Sequence, residues 1–334
     1  PFLSGCFKTA QKESETQKSE KKVQKEEKKK EKPSYIEELS SHLSDPPFIY
    51  VAKSNGGGGV SVIDSKKDSQ APLISLPDKI NMAEIKPDGG ELYATSFENN
   101  KIFVIDLKTK KVVKTIKSKD EPAGIAFHPD GSKAYITHYG SNYISVIDTQ
   151  KREVINTIQV GKHPASIAIT FDGKKAYVGH SMYLSFKGVK KIKVRGVEVP
   201  AGMPKLEEGT KSIFVIDLDK NTVVTKIPIK GYCSGIAVRP DDAIVYATVS
   251  SVDVSGIMSG KMQKGLKDSL AVIDTSANKI THEIKFDQGS GPKAVAFTPD
   301  MKKAYAICGV RDSAYVVDAK KHKILKKVPL GLGG

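Results

Sequence analysis

The chain has 334 residues, 39% of them apolar, which is enough for a packed core; 53 Lys plus Arg against 38 Asp plus Glu give a net charge of +15. Only four residues are Arg, so clamps built from guanidinium forks are scarce, and three Cys exclude a disulfide framework and a four-Cys zinc site. No window holds the ~18 consecutive apolar residues that a membrane-spanning helix needs, and 28 Gly and 17 Pro without a Trp suit a turn-rich β protein.

The chain opens with Phe2-Leu3-Ser4-Gly5-Cys6, a short apolar stretch, two small residues and a cysteine, followed at once by highly polar sequence. This resembles a bacterial lipobox. The resemblance implies that residues 1–5 are the remnant of a lipoprotein signal peptide, that Cys6 carries the lipid, and that the chain begins inside a longer precursor. Residues 8–32 contain only Ala10 and Val23 as apolar side chains and cannot bury a core. From Lys8 to Asp45 ten Lys meet nine acids, so residues 6–45 form a nearly neutral Lys/Glu-rich disordered spacer, leaving most of the net charge on residues 46–334. Such a spacer has a reach of about 35 Å, enough to hold a domain clear of a membrane surface.

From Phe48 onward the chain repeats. A Tyr followed by small and apolar residues recurs at Tyr50, Tyr93, Tyr135, Tyr177, Tyr246 and Tyr305, and Val-Ile-Asp or a near relative ends at Asp64, Asp106, Asp148, Asp217, Asp274 and Asp318. The Asp spacings are 42, 42, 69, 57 and 44, so two repeats carry insertions. Pro-Asp-Gly or a degenerate form lies between the marks, at Asp88, Asp130, Asp172, Asp241 and Asp300. Residues 122–160 parse into four strands, PAGIAF, KAYIT, YISVID and EVINTI, β-branched and aromatic runs separated by turn residues. Asp148 ends its strand, where it can accept backbone N–H groups of the next turn. Residues such as Ile144, Val146 and Ile147 are apolar on both faces, as in a small sheet covered on both sides.

Four-stranded units at this period, with no helical periodicity between them, predict an all-β fold, a β-propeller of antiparallel blades. The second strands are expected near 49–52, 92–96, 134–138, 176–180, 244–249 and 303–308. The AYVG, AYIT, VID and Pro-Asp-Gly signatures resemble the YVTN family of propeller repeats, over roughly residues 48–330. Six blades are visible; the first lacks its innermost strand and the chain stops at VPLGLGG. Since the resembled family commonly has seven blades, a seventh is expected natively, with the propeller at 46–334 incomplete at its C-terminus.

In a four-stranded meander the second-third loops and the blade-to-blade connections share one face. Both insertions, 181–211 and 249–268, fall there, and long loops over a propeller are a usual place for ligand contacts. His138 and His180 each follow the Tyr strand of a blade, His163 lies in the connection between those blades, and Cys233 and Cys308 lie on the same face. His128, in a turn of the opposite face, is excluded. Imidazole ligates transition metals and haem iron, so a haem or transition-metal site through His138, His163 and His180 is a candidate beside the alternative that they are solvated rim residues whose replacement leaves melting unchanged. Insertion 181–211 mixes Met182, Tyr183, Leu184 and Phe186 with KKIKVR; alternation at Ile192, Val194, Val197 and Val199 predicts a hairpin turning near Arg195-Gly196. Tyr183 joins the candidate ligand-binding face. Gly56 to Gly59 are not a phosphate loop, for no Lys-Ser/Thr follows them.

The leading functional expectation is a monomeric cell-envelope lipoprotein, periplasmic or surface-exposed and membrane-bound by its lipid anchor only. Its propeller binds an envelope protein or an anionic envelope polymer without catalysis, since no nucleophile-base pair or carboxylate dyad is recognisable. Nucleic acid is not expected, because the Lys residues are spread along turns. The alternatives are a periplasmic haem or metal binder resembling the haem-binding propeller of cytochrome nitrite reductases, and a lactonase-like hydrolase, which would need a metal cradle of acids.

Overall fold

The computed structural model describes residues 48–52, 58–64, 67, 69–185, 191–194, 197–200, 205–251 and 267–330. The signal-peptide remnant, Cys6, the spacer, Phe186, Arg195-Gly196 and most of the second insertion lie outside the described residues.

The regular structure is all β. The first blade has three strands, β1 (Phe48–Ala52), β2 (Gly59–Asp64) and β3 (Ser69–Ser75). The second has four, β4 (Met82–Ile85), β5 (Glu91–Ser96), β6 (Lys101–Asp106) and β7 (Lys111–Lys117). The third comprises β8 (Pro122–Phe127), β9 (Lys133–His138), β10 (Tyr143–Asp148) and β11 (Glu153–Gln159). The fourth begins with β12 (Pro164–Ile169) and β13 (Lys175–His180). It is then interrupted by β14 (Tyr183–Ser185), β15 (Lys191–Val194), β16 (Val197–Pro200) and β17 (Lys205–Glu207), and resumes with β18 (Ser212–Asp217) and β19 (Thr222–Pro228). The fifth comprises β20 (Ile236–Val238), β21 (Ile244–Val249), β22 (Ser269–Asp274) and β23 (Lys279–Lys285), and the sixth β24 (Pro292–Phe297), β25 (Lys303–Cys308), β26 (Ser313–Asp318) and β27 (Lys323–Pro329). Among the described residues every pairing is antiparallel and between chain neighbours, save that β13 pairs β18 across the insertion and, within it, β14 pairs β17 across β15 and β16. The expected second strands are thus β1, β5, β9, β13, β21 and β25, and among the described residues the first blade has no innermost strand.

The two sequence marks have physical roles. Each Val-Ile-Asp carboxylate accepts the amide three residues on, as with Thr109 N to Asp106 at 2.6 Å, Lys151 N to Asp148 at 2.8 Å and Lys220 N to Asp217 at 2.9 Å. This holds the turn to the outer strand. In the Pro-Asp-Gly turns Gly89, Gly131 and Gly173 sit at φ near +73°, +73° and +72°, which glycine adopts without strain. Asp242 takes a similar left-handed conformation in the degenerate turn of the fifth blade, and its carboxylate accepts Phe171 N at 2.6 Å and Asp172 N at 2.8 Å from the blade before it. Pro122, Pro164 and Pro292 each begin an innermost strand, where a missing N–H breaks no ladder.

Blades are joined by the repeat tyrosines. Tyr93 meets Phe127 of the next blade edge-on at 5.1 Å, and Tyr246 meets Phe297 at 4.6 Å. The Tyr177 hydroxyl donates to Asn278 Oδ1 at 2.9 Å, two blades' worth of core closing over its ring. Tyr93, Tyr135, Tyr177 and Tyr246 are fully buried, whereas Tyr305 in the sixth blade is 39% exposed. Innermost strands approach so closely that a Cβ on Gly235 would lie 2.5 Å from Lys293 O and 2.7 Å from Ala294 Cα. Gly235→Ala is therefore expected to force the fifth and sixth blades apart and cost about 1–3 kcal/mol. Equilibrium urea unfolding measures this, and an unchanged midpoint would show that the strands relax freely.

Candidate functional site

His138 and His180 end β9 and β13, the positions filled by Ser96, Val249 and Cys308 in other blades. They are not solvated rim side chains. His138 is 2% exposed, His163 5% and His180 0%. The structural cause is that the second-third loops and interblade connections fold over the strand ends, as shown by Tyr139 N donating to Glu121 O at 2.8 Å and Ser181 N to His163 O at 3.0 Å.

The three imidazoles differ in what remains free. His138 Nδ1 donates to Asp120 O at 2.8 Å, and its Nε2 accepts from the Ser145 hydroxyl at 2.8 Å, so both ring nitrogens are committed. Its ring lies 4.6 Å from that of Tyr143, whose hydroxyl donates to Asp120 Oδ2 at 2.9 Å. In this geometry His138 has no nitrogen to offer a ligand. His180 Nδ1 donates to Ser212 O at 2.9 Å and His163 Nδ1 donates to Tyr139 O at 2.9 Å, while the Nε2 of each is buried without a partner. A carbonyl only accepts, so both rings carry a proton on Nδ1, and in the neutral tautomer the lone pair is therefore on Nε2. Burial, with a smaller contribution from His163, holds the His180 pKa down at about 4, and burial also lowers that of His138.

The base of the insertion closes on His163. The Tyr183 ring stacks on the His163 imidazole at 4.9 Å and 12°, and Glu207 Oε2 lies 3.7 Å from His163 Nε2. Tyr183 and Glu207 are register partners in the β14–β17 ladder, so one rung supplies both contacts. The Tyr183 hydroxyl donates to Glu121 Oε1 at 2.7 Å, leaving Glu121 Oε2 buried without a partner. The Tyr139 hydroxyl donates to Met182 O, and its ring meets those of Tyr183 at 5.3 Å and Phe97 at 5.6 Å. Burial, and then the Glu121 carboxylate, push the Tyr183 phenol well above its ordinary range. Farther out, β15 and β16 pair with Val194 opposite Val197 and Ile192 opposite Val199, the hairpin the alternation predicts.

The two candidate cysteines are packing residues. Cys233 Sγ fills the space beside Gly179, where a Cβ would stand 2.7 Å from it, and burial pushes its thiol up to about 12. Thr95 and Thr137 occupy that repeat position in the second and third blades and donate to Ala123 O and Ala165 O of the following blade. Cys308 is also fully buried among Tyr315 and Val317, with a thiol raised to about 12. Both are free thiols, and neither has the depressed pKa of a ligand or nucleophile.

Glu121, Tyr139 and Glu207 belong to this cluster without having been singled out from the sequence. Glu121 and His163 each precede the Pro that opens an innermost strand, a shared repeat position that carries the signal for the first. Glu84 is a second unflagged departure. The residue paired with the blade Tyr is Ala126, Ala168, Ala237 and Ala296 in the other four-stranded blades, but Glu84 in the second. Glu84 is solvent-exposed, yet desolvation by the surrounding protein raises its carboxyl to about 7.

No protein-family model matches the chain, and no curated protein matches it. Among solved structures, a chain of Kuenenia stuttgartiensis hydrazine synthase is similar, with a TM-score of 0.69 and 20% identity over 87% of this chain and 86% of that one. At that identity the likeness concerns architecture alone: this chain has the fold of a β-propeller.

Proposed function

We propose that the protein is a non-enzymatic binding module of the bacterial cell envelope, tethered through a lipid on Cys6 and the spacer that follows, with its working face on the side of the insertions. The observation that carries the working face is the docking of the 181–211 insertion. Tyr183 and Glu207, at the base of its ladder, grip His163 and Glu121 in the connections flanking the third blade. A repeat of fixed period needs no such arm for stability, and this one is anchored by a dedicated set of side chains. The envelope reading rests on the Leu3-Ser4-Gly5-Cys6 resemblance and the spacer composition. The exposed Tyr305 supports a further blade beyond the sixth. The partner in this reading is an envelope protein or an anionic polymer, in keeping with the net charge of +15.

Crosslinking in cells followed by membrane fractionation tests both halves of the reading. The full chain is compared with Cys6→Ser and with a protein in which Asn-Gly replaces residues 186–204, joining the paired Ser185 and Lys205. The expected result is membrane recovery of the first and third proteins, release of Cys6→Ser, and loss of crosslinked species from the third. Membrane recovery of Cys6→Ser would remove the lipid anchor, and unchanged crosslinks in the shortened protein would move the working face elsewhere.

A further inference from the structure

Three acceptors around the base of the insertion are buried without a partner: His163 Nε2, His180 Nε2 and Glu121 Oε2. Leaving such atoms unsatisfied is costly, so their presence in neighbouring connections and strand ends points to something that supplies positive charge or a donor. Among the described residues no three His, Cys, Asp or Glu side chains already stand together as a metal set. A pair does. His163 Nε2, with its lone pair fixed by the Nδ1–H bond to Tyr139 O, faces Glu207 Oε2 across 3.7 Å. Bonds of about 2.1 Å from an ion to each atom would span that gap at an angle near 120°, within the reach of four-coordinate geometry.

The backbone supports a dedicated role for His163. It adopts φ +58°, a left-handed conformation that is strained for an L residue bearing a Cβ. The corresponding residue before Pro292 in the sixth blade is Gly291, at φ +61°, which bears no such strain. A strained histidine thus stands where glycine would serve the fold, and its ring is the one that reaches Glu207. His180 lies nearby: it pairs with Pro164, the residue after His163. Its Nδ1–H is committed to Ser212 O in the same way, as the outer nitrogen of a metal-bound histidine usually is to a carbonyl or carboxylate.

We propose that His163 and Glu207 hold a first-row divalent transition-metal ion, with His180, at the neighbouring strand end, as a further candidate donor. Neutral imidazole nitrogen with a carboxylate suits zinc, nickel or copper(II), not calcium or magnesium, which prefer all-oxygen sets. The ion would tie the ladder of the insertion to the connection between the third and fourth blades. The site lies on the face proposed above for partner binding but needs no partner, so the two stand or fall separately.

Calorimetric titration of the chelator-treated full chain with zinc and with copper(II) at neutral pH tests the site. One equivalent is expected to bind, with affinity reduced at least tenfold in His163→Asn, which tolerates the left-handed backbone, and in Glu207→Gln, whose side chain is partly exposed. His138→Gln should bind like the parent. The exposed His282, whose ring lies 5.1 Å from that of His322, is a competing surface pair, so His282→Asn serves as control. Copper(II) bound to the parent should show imidazole-nitrogen coupling in its paramagnetic resonance spectrum that disappears in His163→Asn. Absence of binding, binding abolished by His282→Asn, or parental affinity in both His163→Asn and Glu207→Gln would overturn the proposal.

Discussion

Replacement of His138 by Ala is expected to destabilise the propeller by about 2–4 kcal/mol, although the residue stands at the end of a strand on the loop-bearing face. The side chain is 2% exposed and its ring packs on Tyr143. Truncation removes the donor to Asp120 O and the acceptor of the Ser145 hydroxyl, and opens a cavity between the loop and β10. His138→Gln, which retains one donor and one acceptor, should lose less. His282→Ala, at an exposed outer-strand position, should change stability by no more than about 0.5 kcal/mol. Urea unfolding of the three variants decides the matter. A His138→Ala midpoint equal to that of His282→Ala would mean that the hydrogen bonds around the ring contribute nothing net.

The second large effect is a dependence on pH carried by His180. In the folded protein burial holds its pKa at about 4, against 6.5 for the free side chain. Between those values the unfolded chain binds a proton that the folded chain does not, so stability rises with pH through this window. It is fully present above about 6.5 and falls as pH drops toward 4. The contribution amounts to about 3 kcal/mol, and His138, also depressed by burial, adds in the same direction. Measured in the presence of a chelator, so that no ion competes with the proton, the slope of unfolding free energy against pH should be markedly shallower in His180→Gln. An identical slope in parent and variant would place the sensitivity elsewhere, for instance in the Asp turns.

The fold was almost wholly legible before any coordinates. Tyr and Val-Ile-Asp are readable because each does one local job in every blade. The Tyr ring fills the interface to the next blade and the Asp caps a tight turn, so their spacing reports the period directly. The hairpin around residues 195–196 was legible for a similar reason, since alternation in an isolated two-stranded ladder depends only on neighbours in sequence. The candidate site was legible only in part. His163 and Tyr183 stack on one another and His180 stands opposite Pro164, but His138 is saturated by hydrogen bonds and Cys233 and Cys308 are core residues.

The reason lies in the range of the interactions. Sequence by itself determined the strands, their order, the blade repeat and the face on which the insertions emerge, because hydrophobic period, turn chemistry and antiparallel connection are set by residues a few positions apart. Only the tertiary structure decided which ring nitrogens are free, since that depends on carbonyls and hydroxyls brought from other strands: Asp120 and Ser145 for His138, Tyr139 for His163 and Ser212 for His180. It also decided burial, because loops folded over strand ends remove from water histidines that sequence position alone would leave at a wet rim, and it brought Glu207 from 44 positions away to within 3.7 Å of His163.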